Sequence, residues 1–269
     1  MGYIIFELVN AVLLGKKAYT EYSKYFLTQK TLMVILGIGF YYLIGFDGIL
    51  YGFVLSFMPY TVLIYREFRE TTIDFSLLKS RKGFIVNNYA YNLSARIGST
   101  IDKLIVAPLL GFALLGNYSL ALQLFVILLI VPTIIYKYLL PLDSSGVLNK
   151  KLRQTTITLS VGIAVLGIVL FPYVIPNFFP KFIDAIDAIQ IMSIAIIPAT
   201  ITLLYTSKLL GLEKSKFVLT AQIISASTLI AGFIILGPVF GIMGLASVFV
   251  LSVTLEAVLL LCITKIKKF

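Results

Sequence analysis

The chain reads as an all-α, polytopic membrane protein with about eight full transmembrane helices and an N-terminal part-helix. Three observations predict this. Of its 269 residues 59% are apolar, and the mean hydropathy is +1.02. Only 13% are charged, against about 25% in a soluble globular domain. Several continuous apolar runs reach or approach the ~20 residues that carry a helix across a bilayer. A membrane β-barrel would instead show alternating segments of about ten residues.

Taken in order, residues 1–14 are apolar but short for a span, and they carry Glu7 and Asn10. Without a basic n-region they do not read as a cleavable signal peptide. Spans are then expected over 31–45, 48–65, 83–106, 117–140, 155–175, 188–207, 217–236 and 242–264, with bends at Pro132 and Pro198. The stretch 72–78 is mildly amphipathic and reads as lying along the membrane surface. Outer connections are expected at 46–47, 108–116, 176–187 and 237–241.

The net charge of +10 would point a soluble protein towards nucleic acid. Here the cations fall in alternate links: Lys16 to Lys30, Arg66 to Lys82, Lys150 to Arg153, Lys208 to Lys216, and Lys265 to Lys268. The other links together hold one, Lys181. By the positive-inside rule the basic links face the cytoplasm, and no nucleic-acid partner is expected. The single Cys262 excludes a disulfide within the chain, and the lack of His excludes His-based metal sites and triads. There is no phosphate-binding loop of the G-x-x-x-x-G-K-[ST] type. Neither an enzyme nor a cofactor is expected.

Two segments resemble each other. Leu13-Leu14-Gly15 precedes a helix, a glycine-rich turn at 45–52 and a second helix. Leu209-Leu210-Gly211 precedes a helix, a glycine-rich turn at 237–244 and a second helix. Each turn opens on Gly and contains a Gly-Ile pair and a closing Gly. The two units share orientation, as parallel repeats do.

The most informative span is 83–106. Asn88, Asn92, Arg96, Ser99 and Lys103 are spaced 4, 4, 3 and 4, which puts them on one helix face. A polar stripe in a membrane helix faces a cavity or other helices, because an ion in hydrocarbon costs about 2.5–3.5 kcal/mol even on lenient scales. Asp102 reads as a structural partner of nearby cations or as an ion-coupling group. Glu256, in the last span, is a candidate proton site or a partner for the basic end of its helix. Gln123, Gln190, Thr200, Thr202 and Thr206 read as cavity-lining groups or as interhelical hydrogen-bond partners. Tyr136 and Tyr138 read as interfacial anchors. The Asp184/Asp187 pair reads as a solvated loop face.

The residues 101–124, from Ile101-Asp102-Lys103 through Gly116-Asn117-Tyr118-Ser119-Leu120-Ala121, with Leu140-Pro141-Leu142-Asp143-Ser144-Ser145 after them, resemble the seventh and eighth helices of polysaccharide flippases. These are the O-antigen and lipid-linked oligosaccharide translocases of the multidrug/oligosaccharidyl-lipid/polysaccharide exporter superfamily. The resemblance spans the whole chain as about the last two thirds of a twelve-helix protein. It implies a partial N-terminal lobe (1–70), a cytoplasmic linker (71–82) and a complete C-terminal six-helix lobe (83–269). The first helices of the N-terminal lobe are then missing, or another chain supplies them. It also implies alternating-access export of a lipid-linked sugar, whose pyrophosphate would meet Arg96 and Lys103, with Asn88, Asn92, Ser99 and Gln123 lining the path. Implied partners are that substrate, the bilayer, and glycosyltransferases or a separate chain. Two other readings remain open at this point. One is a multidrug exporter of the same superfamily; a cavity for cationic drugs favours embedded acids over Arg and Lys, and this span offers the reverse. The other is a non-transporting scaffold or remnant.

Overall fold

The computed structural model describes residues 2–61, 65 and 76–266; the side chains of 77, 96–99 and 101–103 lie outside the described set. The described residues are helical throughout, joined by short turns, with no strand among them. The chain divides into two compact units, Met1–Lys79 and Ser80–Phe269.

In the first unit, α1 (Gly2–Gly15), α2 (Tyr19–Ile44) and α3 (Phe46–Leu55) lead to further helix at 58–61. Its small core is aromatic. Phe6, Phe57 and Tyr60 are buried, and the Phe6 and Tyr60 rings meet edge-on at 5.0 Å. The expected surface helix over 72–78 falls mostly outside the described residues; α4 (Ser76–Ser80) closes that stretch.

In the second unit, α5 (Lys82–Leu110) carries the polar stripe. Next come α6 (Phe112–Leu128), α7 (Ile130–Ser144) and α8 (Lys150–Phe178). A 3-10 turn (Pro180–Ala185) leads to α9 (Ile186–Ile194), α10 (Ile196–Gly211) and α11 (Ser215–Ile266). By length and hydropathy α2, α8 and α11 can each cross a membrane, and so can the bent pairs α6–α7 and α9–α10. The 52-residue α11 is a hairpin. It folds back at Gly241 (φ 56°, ψ −136°), and Ser225 Oγ on one arm donates to Ser252 O on the other at 2.9 Å.

Several connections are tighter than expected. The helix runs through Pro108 to Leu110, and Gly111 alone turns the chain into α6. Gly111 has φ 86°, a conformation open to glycine without a Cβ penalty. Likewise α8 continues through Pro172 and Pro176 to Phe178. Membrane helices tolerate such prolines because neighbours re-satisfy the freed backbone groups. The two bends lie three residues ahead of the prolines expected to cause them, at Leu129 (49°) and Ala195 (40°). A proline removes one helical hydrogen bond and crowds the carbonyl four residues back, so the break falls just upstream.

The core of the second unit lies where α6, α8, α9 and α11 meet. Tyr118 packs edge-on against Phe233 at 5.5 Å, and Phe125 against Phe249 at 4.9 Å. Small residues allow close approach, as is usual where apolar burial alone does not drive helices together. A Cβ on Gly167 would sit 2.7 Å from Leu128 and from Ser193.

The repeat is present in the backbone, with a register that corrects the turn alignment. Lys17 and Glu213 both have φ 58° and are the described non-glycine residues with positive φ. They stand 196 positions apart. The bonds around them correspond: Lys17 N donates to Leu14 O and Ala18 N to Leu13 O, as Glu213 N donates to Leu210 O and Lys214 N to Leu209 O. At the same separation Gly45 (φ 74°, ψ −149°) matches Gly241, not Gly237. Gly48 matches Gly244, and a Cβ on either would strike a carbonyl eight residues back, Phe40 O or Leu236 O.

Candidate functional site

Two buried polar clusters in the second unit gather groups from five helices. The first centres on Asp143, 4% exposed, in the last turn of α7. Its Oδ2 accepts from Arg153 Nη2 of α8 at 2.5 Å and from the Ser207 hydroxyl of α10. Arg153 Nη1 also donates to the Leu204 carbonyl of α10. Gly211 makes this junction possible, since a Cβ there would lie 2.7 Å from the Asp143 carbonyl carbon. One carboxylate thus fastens three helices at the end that carries the basic links. A buried pair of this kind adds little over apolar packing, but removing one partner strands the other charge.

The second cluster centres on Glu256 of α11, 7% exposed. Its carboxylate lies within hydrogen-bonding reach of the Ser225 hydroxyl on the opposite arm of the hairpin. Tyr91 of α5 is its electrostatic neighbour, and Tyr91 in turn lies against Tyr136 of α7 and Thr206 of α10. Among the described residues Glu256 has no Lys or Arg in salt-bridge range. A buried carboxylate beside hydroxyls, with no counter-charge among the described residues, is suited to holding a proton.

The other expected site residues fall as follows. Asn88 and Asn92 lie on α5, and Asn92 Nδ2 donates to Asn88 O at 2.8 Å, one turn back. Asn92 and Gln123 are exposed on the helix surface, outside both buried clusters. Arg96, Ser99, Asp102 and Lys103 lie on α5 with side chains outside the described residues. Gln190 donates to the Ile168 carbonyl at 3.0 Å and ties α9 to α8. Thr200 donates to Ile196 O within its own helix. Tyr136 is not simply an interfacial anchor: it reaches the neighbourhood of Tyr91. Among the described residues no group of acids could hold a metal ion.

The Asp143–Arg153 pair is what sequence reasoning missed. In sequence Arg153 reads with its lysine neighbours as a mark of topology, and Asp143 reads only as part of a motif. One signal was available. Asp143 is the sole acid between Asp102 and Asp184.

No family model and no curated relative matches this chain. Solved structures do. A MATE crystal structure in the bent conformation superposes with a TM-score of 0.82 at 14% identity, over 98% of this chain and 65% of that one. The outward-facing conformation of a multidrug resistance MATE family transporter of the MOP superfamily gives 0.80 at 15% identity, over 96% and 64%. A MOP superfamily transporter from Pyrococcus furiosus, described by a binding pocket of reverse polarity that suggests a different function, gives 0.81 at 14% identity, over 99% and 67%. The chain spans about two thirds of the length of these proteins. What it shares with them is the fold, the polytopic helical fold of MATE transporters in the MOP superfamily.

Proposed function

We propose that the chain works as an alternating-access membrane transporter, with its basic links on the cytoplasmic side. The observation that carries this reading is the superposition on MATE transporters along nearly its whole length. Rocking of helical bundles about a midplane cavity is the mechanism such folds support. Glu256 is the group we assign to ion coupling. It sits buried at the hairpin junction with no basic partner among the described residues, so taking up a proton would remove a buried charge.

For cargo we favour export of amphipathic organic molecules, in line with the neighbour named as a multidrug resistance transporter. A second reading, export of a lipid-linked sugar, rests on the stripe on α5. Arg96 and Lys103, with Asn88, Asn92 and Ser99, would meet a pyrophosphate there, since Arg binds phosphate oxygens bidentately. Asp102 would offset those cations, and Gln123 would border the path. The reversed-polarity neighbour makes cavity charge the natural discriminator.

The test is transport by the purified full chain in proteoliposomes under a proton gradient. A fluorescent cationic dye should move down to background when Glu256→Gln replaces the carboxylate, with thermal stability retained. Movement of a labelled polyprenyl pyrophosphate but not the dye, abolished by Arg96→Ala, would assign the second cargo. Movement of neither would defeat both.

A further inference from the structure

At the basic end of the second unit, a pocket of about 270 Å³ opens between the start of α8 and the end of α10. It is lined by Lys150, Arg153 and Gln154 from α8 and by Leu204, Tyr205 and Lys208 from α10. We propose that this pocket binds a phosphate group, presented by the headgroup of an anionic phospholipid.

Charge is the first argument. Three cations converge there, and Lys208 feels the positive charge of both Arg153 and Lys150. The pocket lining holds no acid; Asp143, the acid beside it among the described residues, is engaged by Arg153 and Ser207 and also attracts Lys208. The pocket keeps a positive excess that an anion from outside the protein would offset.

Helix polarity is the second argument. α8 opens with Lys150, which lines the pocket, and has no acid in its first turn. Cations at a helix N-terminus face the positive end of the dipole, where the backbone itself favours an anion. The Asn149 side chain occupies only the Leu152 N–H. An arrangement unfavourable in the empty protein becomes favourable with a phosphate in place.

Size and lining decide the ligand class. The volume lies a little below the roughly 300–1,000 Å³ of sites for drug-sized ligands, so a headgroup fits better than a bulky cargo. Gln154 and Tyr205 add polar groups at the cations, while Leu148, Leu204 and Ile157 give an apolar wall along which a lipid could continue. Basic pockets between membrane helices are established lipid-headgroup sites in general.

The experiment uses the full chain in detergent, titrated with phosphatidylglycerol or phosphatidylcholine and followed by native mass spectrometry of retained lipid. Phosphatidylglycerol should be retained at least tenfold more than phosphatidylcholine. Lys150→Gln and Lys208→Gln should each cut that preference about fivefold. Lys151→Gln, outside the pocket lining, should leave it unchanged. If Lys208→Gln does not purify as a single species, the exposed Lys150→Gln carries the test alone. Adding millimolar inorganic phosphate separates the sources. Displacement of the lipid assigns recognition to the phosphate alone, and persistence assigns it to the whole headgroup with its apolar anchor. Equal retention of both lipids, or a preference untouched by Lys150→Gln, would overturn the proposal.

Discussion

The α2–α3 hairpin and the α11 hairpin share a backbone and differ in the polar groups they hold. In the first, Gln29 Nε2 donates to Ser56 Oγ at 3.1 Å, and Ser56 Oγ donates to Phe53 O. In the second, Ser225 Oγ donates to Ser252 O, and Ser252 Oγ donates to Phe249 O. Gln29 and Ser225, Phe53 and Phe249, and Ser56 and Ser252 hold equivalent positions. One turn further on the copies part. The first holds Tyr60, whose hydroxyl donates to Tyr25 O at 2.5 Å; the second holds Glu256. Tyrosine closes its site with a neutral hydrogen bond inside its own hairpin. Glutamate leaves a buried acid beside the Ser225 hydroxyl of its own hairpin and near Tyr91 of α5. The shared frame sets the helix geometry, and the divergent residue decides which copy carries a buried acid.

The largest effect is expected at what α7 and α8 add to the second copy. Asp143→Ala strands Arg153, and thermal or denaturant unfolding in one detergent should show a loss of about 3–5 kcal/mol. A loss below 1 kcal/mol would mean the pair is not the fastening seen here. Next come the matched glycines. Gly48→Ala and Gly244→Ala each force a methyl onto a backbone carbonyl and should each cost about 1–3 kcal/mol. If only one proved costly, the equivalence of the hairpins would fail at its closest contact.

Tyr60→Phe removes one hydrogen bond and should cost about 0.5–1.5 kcal/mol, while Glu256→Gln should change stability little and transport strongly. Measuring both properties on both variants separates a structural position from a functional one. The smallest effect contrasts Gly15 with Gly211. A Cβ at Gly15 meets nothing within 4 Å, so Gly15→Ala should be neutral or stabilise by less than about 1 kcal/mol. The equivalent Gly211→Ala must push Asp143 aside and should destabilise. Matching signs at the two positions would show that α7 does not press on α10 as described.

The apolar runs determined the helical, membrane-spanning class by themselves, because the cost of unpaired backbone in hydrocarbon leaves a continuous apolar run few alternatives to helix. The Leu-Leu-Gly segments at 13–15 and 209–211 marked the repeat, since their local backbone pattern travels with them. Only the tertiary structure decided which glycine turns each hairpin. Gly237, Gly241 and Gly244 can all adopt positive φ, and in the folded hairpin it is Gly241 that does. Only the tertiary structure joined Asp143 to Ser207 and brought Tyr91 between Tyr136 and Glu256. Those partners lie on separate helices far apart in sequence, and a charge's role depends on what surrounds it, which no local pattern specifies.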